Sequence, residues 1–183
     1  RLLPEKQSHS KGIEVADWWS VDGNNWLQIP YDSGFAIVGD AIAHRRGMDI
    51  SASYLTQCDG DVRNPTHYNP ELSRRARGFA AWAVIQSLGR SGIRNMIEQH
   101  CNAARIVGES LSGIEGIEVL NRVDLNQLVV SFEKDGTNVT AEMADLLNGD
   151  GTSYVRTTHW KCREAFRIYI ISKNASQSTG QQL

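Results

Sequence analysis

The feature that most constrains the fold is a long stretch of helical patterning, from Pro70 to Gly113, between two segments with strand patterning. Asn69 can cap a helix and Pro70 suits its first turn, so the spacing predicts one helix from Pro70 to Gly89 and a second from Ser91 to Gly113. Strands on both sides of such helices are typical of an α/β or α+β protein. The predicted apolar positions are Leu72, Ala76, Phe79, Ala83 and Leu88 in the first helix, and Ile93, Ile97, Ala104, Val107 and Leu111, with His100 on the same stripe, in the second.

The segment before these helices predicts two strands and a long connection. Residues Ile13–Val21 and Gly34–Gly39 have the apolar density of buried strands. Between them the polar run Asp22–Asn25 predicts a tight turn, since Asn and Gly favour turns. From Asp40 to Tyr68 the pattern breaks up, which indicates a long irregular connection of the kind that is usually functional or mobile.

The segment after Gly116 has a different texture, with short alternating units. Four of them predict strands, and the residues Val139–Leu147 predict a helix with Val139, Met143 and Leu147 facing inward. The strand-like units are IEVL, QLVVSF, SYVRT and FRIYII. Together they indicate a small α+β unit, followed from Lys173 by a polar, loose tail.

Composition and charge exclude several classes of function. The 183 residues carry a net charge of −2, which gives no electrostatic reason to bind nucleic acid. No apolar run approaches the length of a membrane span and no signal-peptide core is present, so we expect no membrane association. The five histidines and three cysteines lack metal-ligand or Cys-x-x-Cys spacing, so we expect no metal, no disulfide framework and a cytoplasmic location.

Four motifs in family order carry a resemblance to a known family. The stretch ADWWSVDGNNWLQIPYDSGFAIV resembles a segment that reads Ala-Asp-Ser-Trp, Asp-x-His-Lys-Trp and Pro-Tyr-Asp-Cys-Gly in the pyridoxal-phosphate-dependent (group II) amino acid decarboxylases. SASYL resembles the active-site loop of that family. PELSRRARGFAAWAVIQSLGRSGI resembles its Arg-rich helix, and HWKCREAFRI resembles its C-terminal Trp-x-Gly-Arg motif.

The resemblance implies an α/β fold, the C-terminal part of the aspartate aminotransferase-like (fold type I) architecture with a small α+β C-terminal domain. Residues 1–90 would be a remnant of the large cofactor-binding domain, residues 91–172 a connector helix with the small domain, and residues 173–183 a loose tail. Pyridoxal 5'-phosphate is the implied cofactor and an amino acid the implied substrate. Family members are dimers, so the resemblance also implies a homodimer or pairing with an intact family subunit.

The His-Lys pair of the family falls on Asn24 and Asn25 in this chain. The family lysine forms a Schiff base with the cofactor aldehyde, and the pyridinium ring then takes up the electrons released when carbon dioxide departs. An amide nitrogen cannot form that bond, because its lone pair is delocalised into the carbonyl. Without the resemblance, the Asn-Asn pair would be read as a favourable turn sequence.

Other departures and matches follow from the same alignment. Trp18 replaces a small Ser and Cys162 replaces Gly, and we expect the carboxylate that partners the pyridine nitrogen to lie upstream of Arg1. Tyr54 matches the loop tyrosine thought to donate a proton to the substrate Cα; the alternative is a half-buried loop anchor. Arg167 matches the arginine that pairs the substrate carboxylate; the alternative is a structural ion pair.

A further set of basic residues, Arg74, Arg75 and Arg77, is interpreted as helix-surface or subunit-contact residues and not as phosphate ligands, because a helix start favours anions over cations.

Three functions remain open from the sequence. The chain is a fragment or degenerate member of the pyridoxal-phosphate decarboxylases, which are carboxy-lyases, and is inactive by itself. Alternatively it is a non-catalytic pseudoenzyme or assembly subunit that pairs with an intact decarboxylase. A weaker alternative is an aminotransferase-like pyridoxal-phosphate enzyme. Residue 25 is the feature that bears most directly on this choice.

Overall fold

The structure of the protein is a computed structural model that describes residues 4–48, 64–151 and 154–172. The chain divides into two compact units, residues 1–89 and residues 90–183. The boundary falls inside the long helix α3, Arg77–Ser112, at Gly89, whose φ of 59° and ψ of −176° interrupt the helical backbone. A positive φ of this size favours glycine. The assignment of residues 1–90 and 91–172 to family domains stays a prediction.

The first unit contains a two-stranded antiparallel ribbon, one helical turn and two longer helical segments. Strands β1 and β2 pair with Trp18 opposite Val38 and Val21 opposite Phe35. The elements are 3-10 segments at Pro4–Ser10, Ile13–Val15 and Pro65–His67, strands β1 Trp18–Asp22 and β2 Gly34–Val38, helices α1 Gly23–Leu27 and α2 Ala41–Met48, and the part of α3 before Gly89.

Several predictions for this unit were wrong. Residues 13–15 form a 3-10 turn, so β1 begins only at Trp18. The predicted irregular connection after Asp40 contains α2, because the Asp40 carboxylate accepts hydrogen bonds from the backbone N–H groups of Ile42 and Ala43 and caps the helix. The strands were expected to be buried, yet most of their residues are exposed among the described residues.

The first long helix also begins later than predicted. It starts at Arg77 and not at Pro70, and the segment between them is not helical. Asn69 therefore does not cap this helix, and Glu71, in the non-helical segment, forms an ion pair with Arg77 at 2.6 Å. Phe79, predicted to face a core, is 69% exposed.

The second unit is a five-stranded antiparallel sheet packed against helices. The strand order is β3-β4-β7-β6, with β5 paired to β4. The strands are β3 Ile117–Val119, β4 Gln127–Lys134, β5 Thr137–Asn138, β6 Thr157–Trp160 and β7 Arg163–Tyr169, and helix α4 spans Thr140–Asp150. Its core joins one face of the sheet to the helices and consists of Ala103, Ala104, Val107, Leu128, Val130, Phe132, Phe166 and Ile170.

Most predictions for the second unit are confirmed. The stripe of the second helix is buried at Ala104 and Val107, and Met143 and Leu147 of α4 pack against the core. His100 is a core histidine, 1% exposed, with Nε2 2.9 Å from the Ser172 carbonyl oxygen. The SYVRT strand was wrong, because β6 begins only at Thr157. The loose tail from Lys173 lies outside the described residues.

No helix in the described part of the chain is both long enough and apolar enough to cross a membrane.

Candidate functional site

The segment that carries the Asn-Asn pair is a short helix and not the predicted tight turn. Helix α1 begins after Asp22, whose carboxylate accepts a 2.9 Å hydrogen bond from the backbone N–H of Asn24. It ends at Gln28, the residue with left-handed backbone, φ 52°. The asparagines therefore have helical backbone, and their supposed preference for a left-handed turn plays no part here.

Asn25 is held at the helix N-terminus through its side chain. Its Nδ2 donates a hydrogen bond to the second carboxylate oxygen of Asp22. Asp22 thus binds one backbone and one side-chain donor from the same helical turn, which satisfies donors that a helix start leaves unpaired. Residue 25, which the resemblance aligns with the family lysine, forms part of a helix cap here.

A compact loop closes this helix against the residues that precede β2. The Gly23 N–H donates to the Ser33 carbonyl at 3.0 Å, and the Ser33 N–H donates to Pro30 at 2.9 Å. A Cβ at Gly23 would lie 2.4 Å from the Ile29 side chain and 2.9 Å from the Ser33 carbonyl oxygen, so only glycine fits. Ile29 is the buried apolar side chain of this loop, with 5% of its surface exposed.

Two oxygen atoms of this loop are buried without a hydrogen bond to any described residue. They are Oδ1 of Asn24 and Oγ of Ser33. An unsatisfied buried polar group costs about 1–3 kcal/mol, so buried polar groups in folded proteins are mostly hydrogen-bonded.

An ion-pair cluster fixes the loop to the start of α3. Asp32 is 3.1 Å from Arg77 and 3.4 Å from Arg75, and Glu71 is 2.6 Å from Arg77. Arg77 donates hydrogen bonds to the carboxylates of Glu71 and Asp32, and these bonds, first that to Glu71, raise the pKa of Arg77 above its ordinary value. Sequence reasoning missed Asp32, because it lies 43 residues before Arg75 and no local pattern links the two.

Only Arg77 of the three arginines expected on a helix surface or in a subunit contact lies in a helix, and the subunit-contact alternative stays a prediction. Two of the three precede the helix, and Arg74 donates to the Glu71 carbonyl oxygen. All three bind groups within their own unit.

The resemblance predicts two further site residues, Tyr54 and Arg167. Tyr54 lies outside the described residues. Arg167 is on β7 of the second unit, exposed, with its guanidinium 5.7 Å from the centre of the Tyr169 ring. No described carboxylate forms an ion pair with Arg167, so the alternative of a structural ion pair gains no support from the described residues.

Cys162, at the position of the family glycine, lies in the two-residue turn between β6 and β7. Lys161 and Cys162 have φ values of 48° and 66°, both in the left-handed region. Such a turn is the type that normally selects Asn and Gly. The substitution of glycine therefore leaves a strained backbone at this motif.

Comparison with solved structures defines the class of fold. Tryptophan decarboxylase of Catharanthus roseus, solved with L-tryptophan, matches with a TM-score of 0.83 and 18% identity over 98% of this chain and 39% of that chain. Oryza sativa TDC, solved with PLP and tryptamine, matches with a TM-score of 0.88 and 20% identity over the same shares. The chain has the fold of part of a fold type I pyridoxal-phosphate enzyme, as expected.

The family follows from a match to residues 2–134 by the model of the pyridoxal-dependent decarboxylase conserved domain. This chain belongs to the pyridoxal-dependent decarboxylase family. Among curated relatives, the aromatic-L-amino-acid decarboxylase of Drosophila melanogaster is 25% identical over 94% of this chain and 34% of its own length. The histidine decarboxylase of the same fly is 24% identical over 96% of this chain and 21% of its own length. The chain thus spans about a third or less of these relatives.

The described residues do not fit a covalently held pyridoxal phosphate. The family is pyridoxal-dependent, but residue 25 offers an amide whose nitrogen is already bound to Asp22. Asn24 has no aromatic ring to stack against the cofactor, and its Oδ1 is a hydrogen-bond acceptor without a described partner. No catalytic step through the cofactor follows from this turn.

Proposed function

We propose that this chain is a degenerate member of the pyridoxal-dependent decarboxylases that is inactive as an amino acid carboxy-lyase by itself. The observation that carries the proposal is Asn25, an amide at the position of the Schiff-base lysine. Its Nδ2 binds the cap carboxylate Asp22, so the side chain supports the local fold and has no nucleophilic lone pair. The cytoplasmic location stays a prediction.

The loss of the lysine also weighs against the aminotransferase-like alternative. Transamination and decarboxylation both begin with the same Schiff base to the cofactor, so an amide at residue 25 blocks both. A fragment and a non-catalytic assembly subunit stay alternative proposals. In both cases any catalysis would need residues other than those of this chain.

The retained residues Tyr54 and Arg167 keep a proposed role in substrate handling by resemblance. Two features of Arg167 support this role. Its side chain is exposed and has no described carboxylate partner, and a guanidinium group suits a carboxylate ligand because it can donate two parallel hydrogen bonds. The implied ligand is an amino acid, consistent with the names of the relatives. Both roles are secondary to residue 25, because orienting a substrate accomplishes nothing without the covalent step.

Reduction with borohydride tests the proposal. The chain is incubated with pyridoxal phosphate, reduced and digested, and the peptides are mapped by mass spectrometry. We expect no pyridoxyl group on the peptide that contains Asn24 to Pro30. Oryza sativa TDC, treated in parallel, is the positive control, because the family resemblance implies a lysine at its corresponding residue. A pyridoxyl group on the peptide of this chain would refute the proposal.

A second measurement separates binding from covalent attachment. Absorbance titration with the cofactor, without borohydride, detects a non-covalent complex. A saturable complex with no reduced adduct is consistent with an inactive binding protein. Carbon dioxide release from amino acids by the unmodified chain, above the background of free cofactor, would contradict inactivity directly.

A further inference from the structure

The sheet of the second unit has a face opposite to its core. Side chains alternate between the two faces of a strand, and residues that pair across an antiparallel ladder share a face. Leu128 of β4 belongs to the core cluster. Its neighbours Gln127 and Val129 therefore lie on the opposite side, which we call the outer face. Their partners on β7, Tyr169 and Arg167, share that face.

Two arginines of β7, Arg163 and Arg167, lie on the outer face and differ in their partners. Arg163 donates a 2.7 Å hydrogen bond to Glu118 and lies 3.7 Å from the carboxylate of Glu133. Arg167 is exposed, and no described residue accepts a hydrogen bond from it. Of the two arginines, Arg167 is thus the one whose charge no described carboxylate balances.

The contact that Arg167 makes is with an aromatic ring. Its guanidinium carbon lies 5.7 Å from the centre of the Tyr169 ring, which is within the range of a cation–π contact. Tyr169 is the next residue of β7 on the outer face, and β7 lies between β4 and β6 in the sheet. Val129, opposite Arg167, is only 7% exposed although it lies on this face, so neighbouring side chains cover it. The arginine therefore projects from a packed, central strand.

The kind of contact decides what Arg167 can still bind. A carboxylate partner takes up N–H donors of a guanidinium group, as Glu118 does at Arg163. An aromatic ring attracts the cation through its π electrons and leaves those donors available. Arg167 is thus oriented without being neutralised. This is the state in which an arginine binds a carboxylate ligand best, because both the charge and the paired donors are retained.

We propose that Tyr169 is a positioning residue for carboxylate binding by Arg167. The ring restricts the conformations of the arginine side chain, so less entropy is lost when its parallel hydrogen bonds to a carboxylate form. The ligand class is the carboxylate of an α-amino acid. This inference rests on the proposed role of Arg167 in substrate handling and deepens it, but it does not depend on the amide at residue 25.

Nuclear magnetic resonance of the full 183-residue chain tests the proposal. The Nε–H signal of Arg167 is assigned by its loss in Arg167→Lys and is followed during titration with L-tryptophan and with L-glutamate. We expect a saturable shift of this signal with both amino acids. Tryptamine lacks the carboxylate and should cause no shift. An equal shift with tryptamine, or no saturable shift with either amino acid, would overturn the proposal.

Substitutions at residue 169 separate positioning from packing. Tyr169→Leu removes the ring but keeps an apolar side chain, and we expect it to raise the Kd for both amino acids about two- to fivefold, as the loss of an exposed cation–π contact does. Tyr169→Phe retains the ring and should have the Kd of the unmodified chain. A Kd that Tyr169→Leu leaves unchanged, or that Tyr169→Phe raises equally, contradicts the role of Tyr169.

The unmodified chain provides a second measurement, which needs no variant to fold. Relaxation of the arginine Nε–H groups reports their mobility on the picosecond-to-nanosecond timescale. Arg156 is exposed without a described partner and is the internal reference. We expect Arg167 to be clearly more ordered than Arg156 before any ligand is added. Equal mobility of the two side chains would show that the ring does not position Arg167.

Arg163→Lys is the matched control for charge. It keeps a cation on the outer face, at an arginine that is already paired with Glu118, and should leave the Kd for both amino acids unchanged. A loss of binding equal to that in Arg167→Lys would show that the general charge of the face attracts the ligand, and would overturn the proposal.

The outcomes distinguish this inference from the proposals before it. Absence of carboxylate binding refutes the role of Arg167, and that of Tyr169 with it, and leaves the inactivity standing. Binding that Arg167→Lys abolishes and Tyr169→Leu leaves unchanged refutes only the role of Tyr169. A pyridoxyl adduct on the unmodified chain refutes only the inactivity.

Discussion

The substitution Cys162→Gly tests whether a departure from the family motif has left strain in the second unit. Cys162 has a φ of 66° in the two-residue turn between β6 and β7. A residue with a Cβ in the left-handed region costs roughly 1–2 kcal/mol, and glycine removes that cost. Glycine also has a more flexible unfolded chain, which offsets about 0.5–1 kcal/mol. We therefore expect a net gain of about 0.5–1 kcal/mol in the free energy of unfolding.

Thermal unfolding of the full chain, followed by calorimetry in the presence of a reductant, measures this gain. For a unit of this size, a gain of about 0.5–1 kcal/mol raises Tm by roughly 3–6 °C. Cys162→Ala is the control, because it removes the thiol but retains the Cβ. We expect Cys162→Ala to stay within about 0.5 kcal/mol of the unmodified chain.

The result that would refute this reasoning is specific. If Cys162→Gly and Cys162→Ala shift Tm equally, the effect comes from the thiol and not from the backbone. If Cys162→Gly lowers Tm, the left-handed conformation is not strained in the folded chain.

Three further predictions concern the site, the core and the loop. Asn25→Lys alone should give no carbon dioxide release above the free-cofactor background. The substitution restores an amine but not the orientation of the reacting groups or the preorganised charge, each of which is worth several kcal/mol of the barrier. Clear turnover with glutamate, aspartate or aromatic substrates would contradict this. Phe166→Ala should lower the free energy of unfolding of the second unit by about 3–5 kcal/mol in chemical denaturation, because its buried ring lies 5.0 Å from that of Phe132. Phe79→Ala removes an exposed ring and should change the free energy of unfolding by less than about 0.5 kcal/mol. Comparable effects of the two substitutions would show that the core is wrongly placed. Asp32→Asn should cost no more than about 1 kcal/mol in the same assay because its ion pairs are exposed, and a larger loss would show that they are desolvated.

The sequence predicted the second unit well because its elements are locally consistent. The stripe that includes Ala104 and Val107, and the inward positions Met143 and Leu147, follow from a helical period that one amphipathic face imposes. The chemistry of residue 25 was also determined by the sequence alone, once the resemblance had aligned it with a lysine. An amide is not a nucleophile in any fold.

The tertiary structure decided what local patterns could not. The pattern predicted a helix from Pro70, but residues 70–76 are not helical and the helix begins at Arg77, where Arg75 and Arg77 pair with the distant Asp32. Asp22 is a residue type that caps helices, but the sequence alone did not decide between a turn and a short helix after it, because both have the same polar composition. The apolar pattern of the β1–β2 ribbon indicated burial, and only the structure showed that the described chain leaves it exposed. Periodicity records the environment for which a strand is suited, whereas the exposure of that strand depends on how the whole fold packs around it.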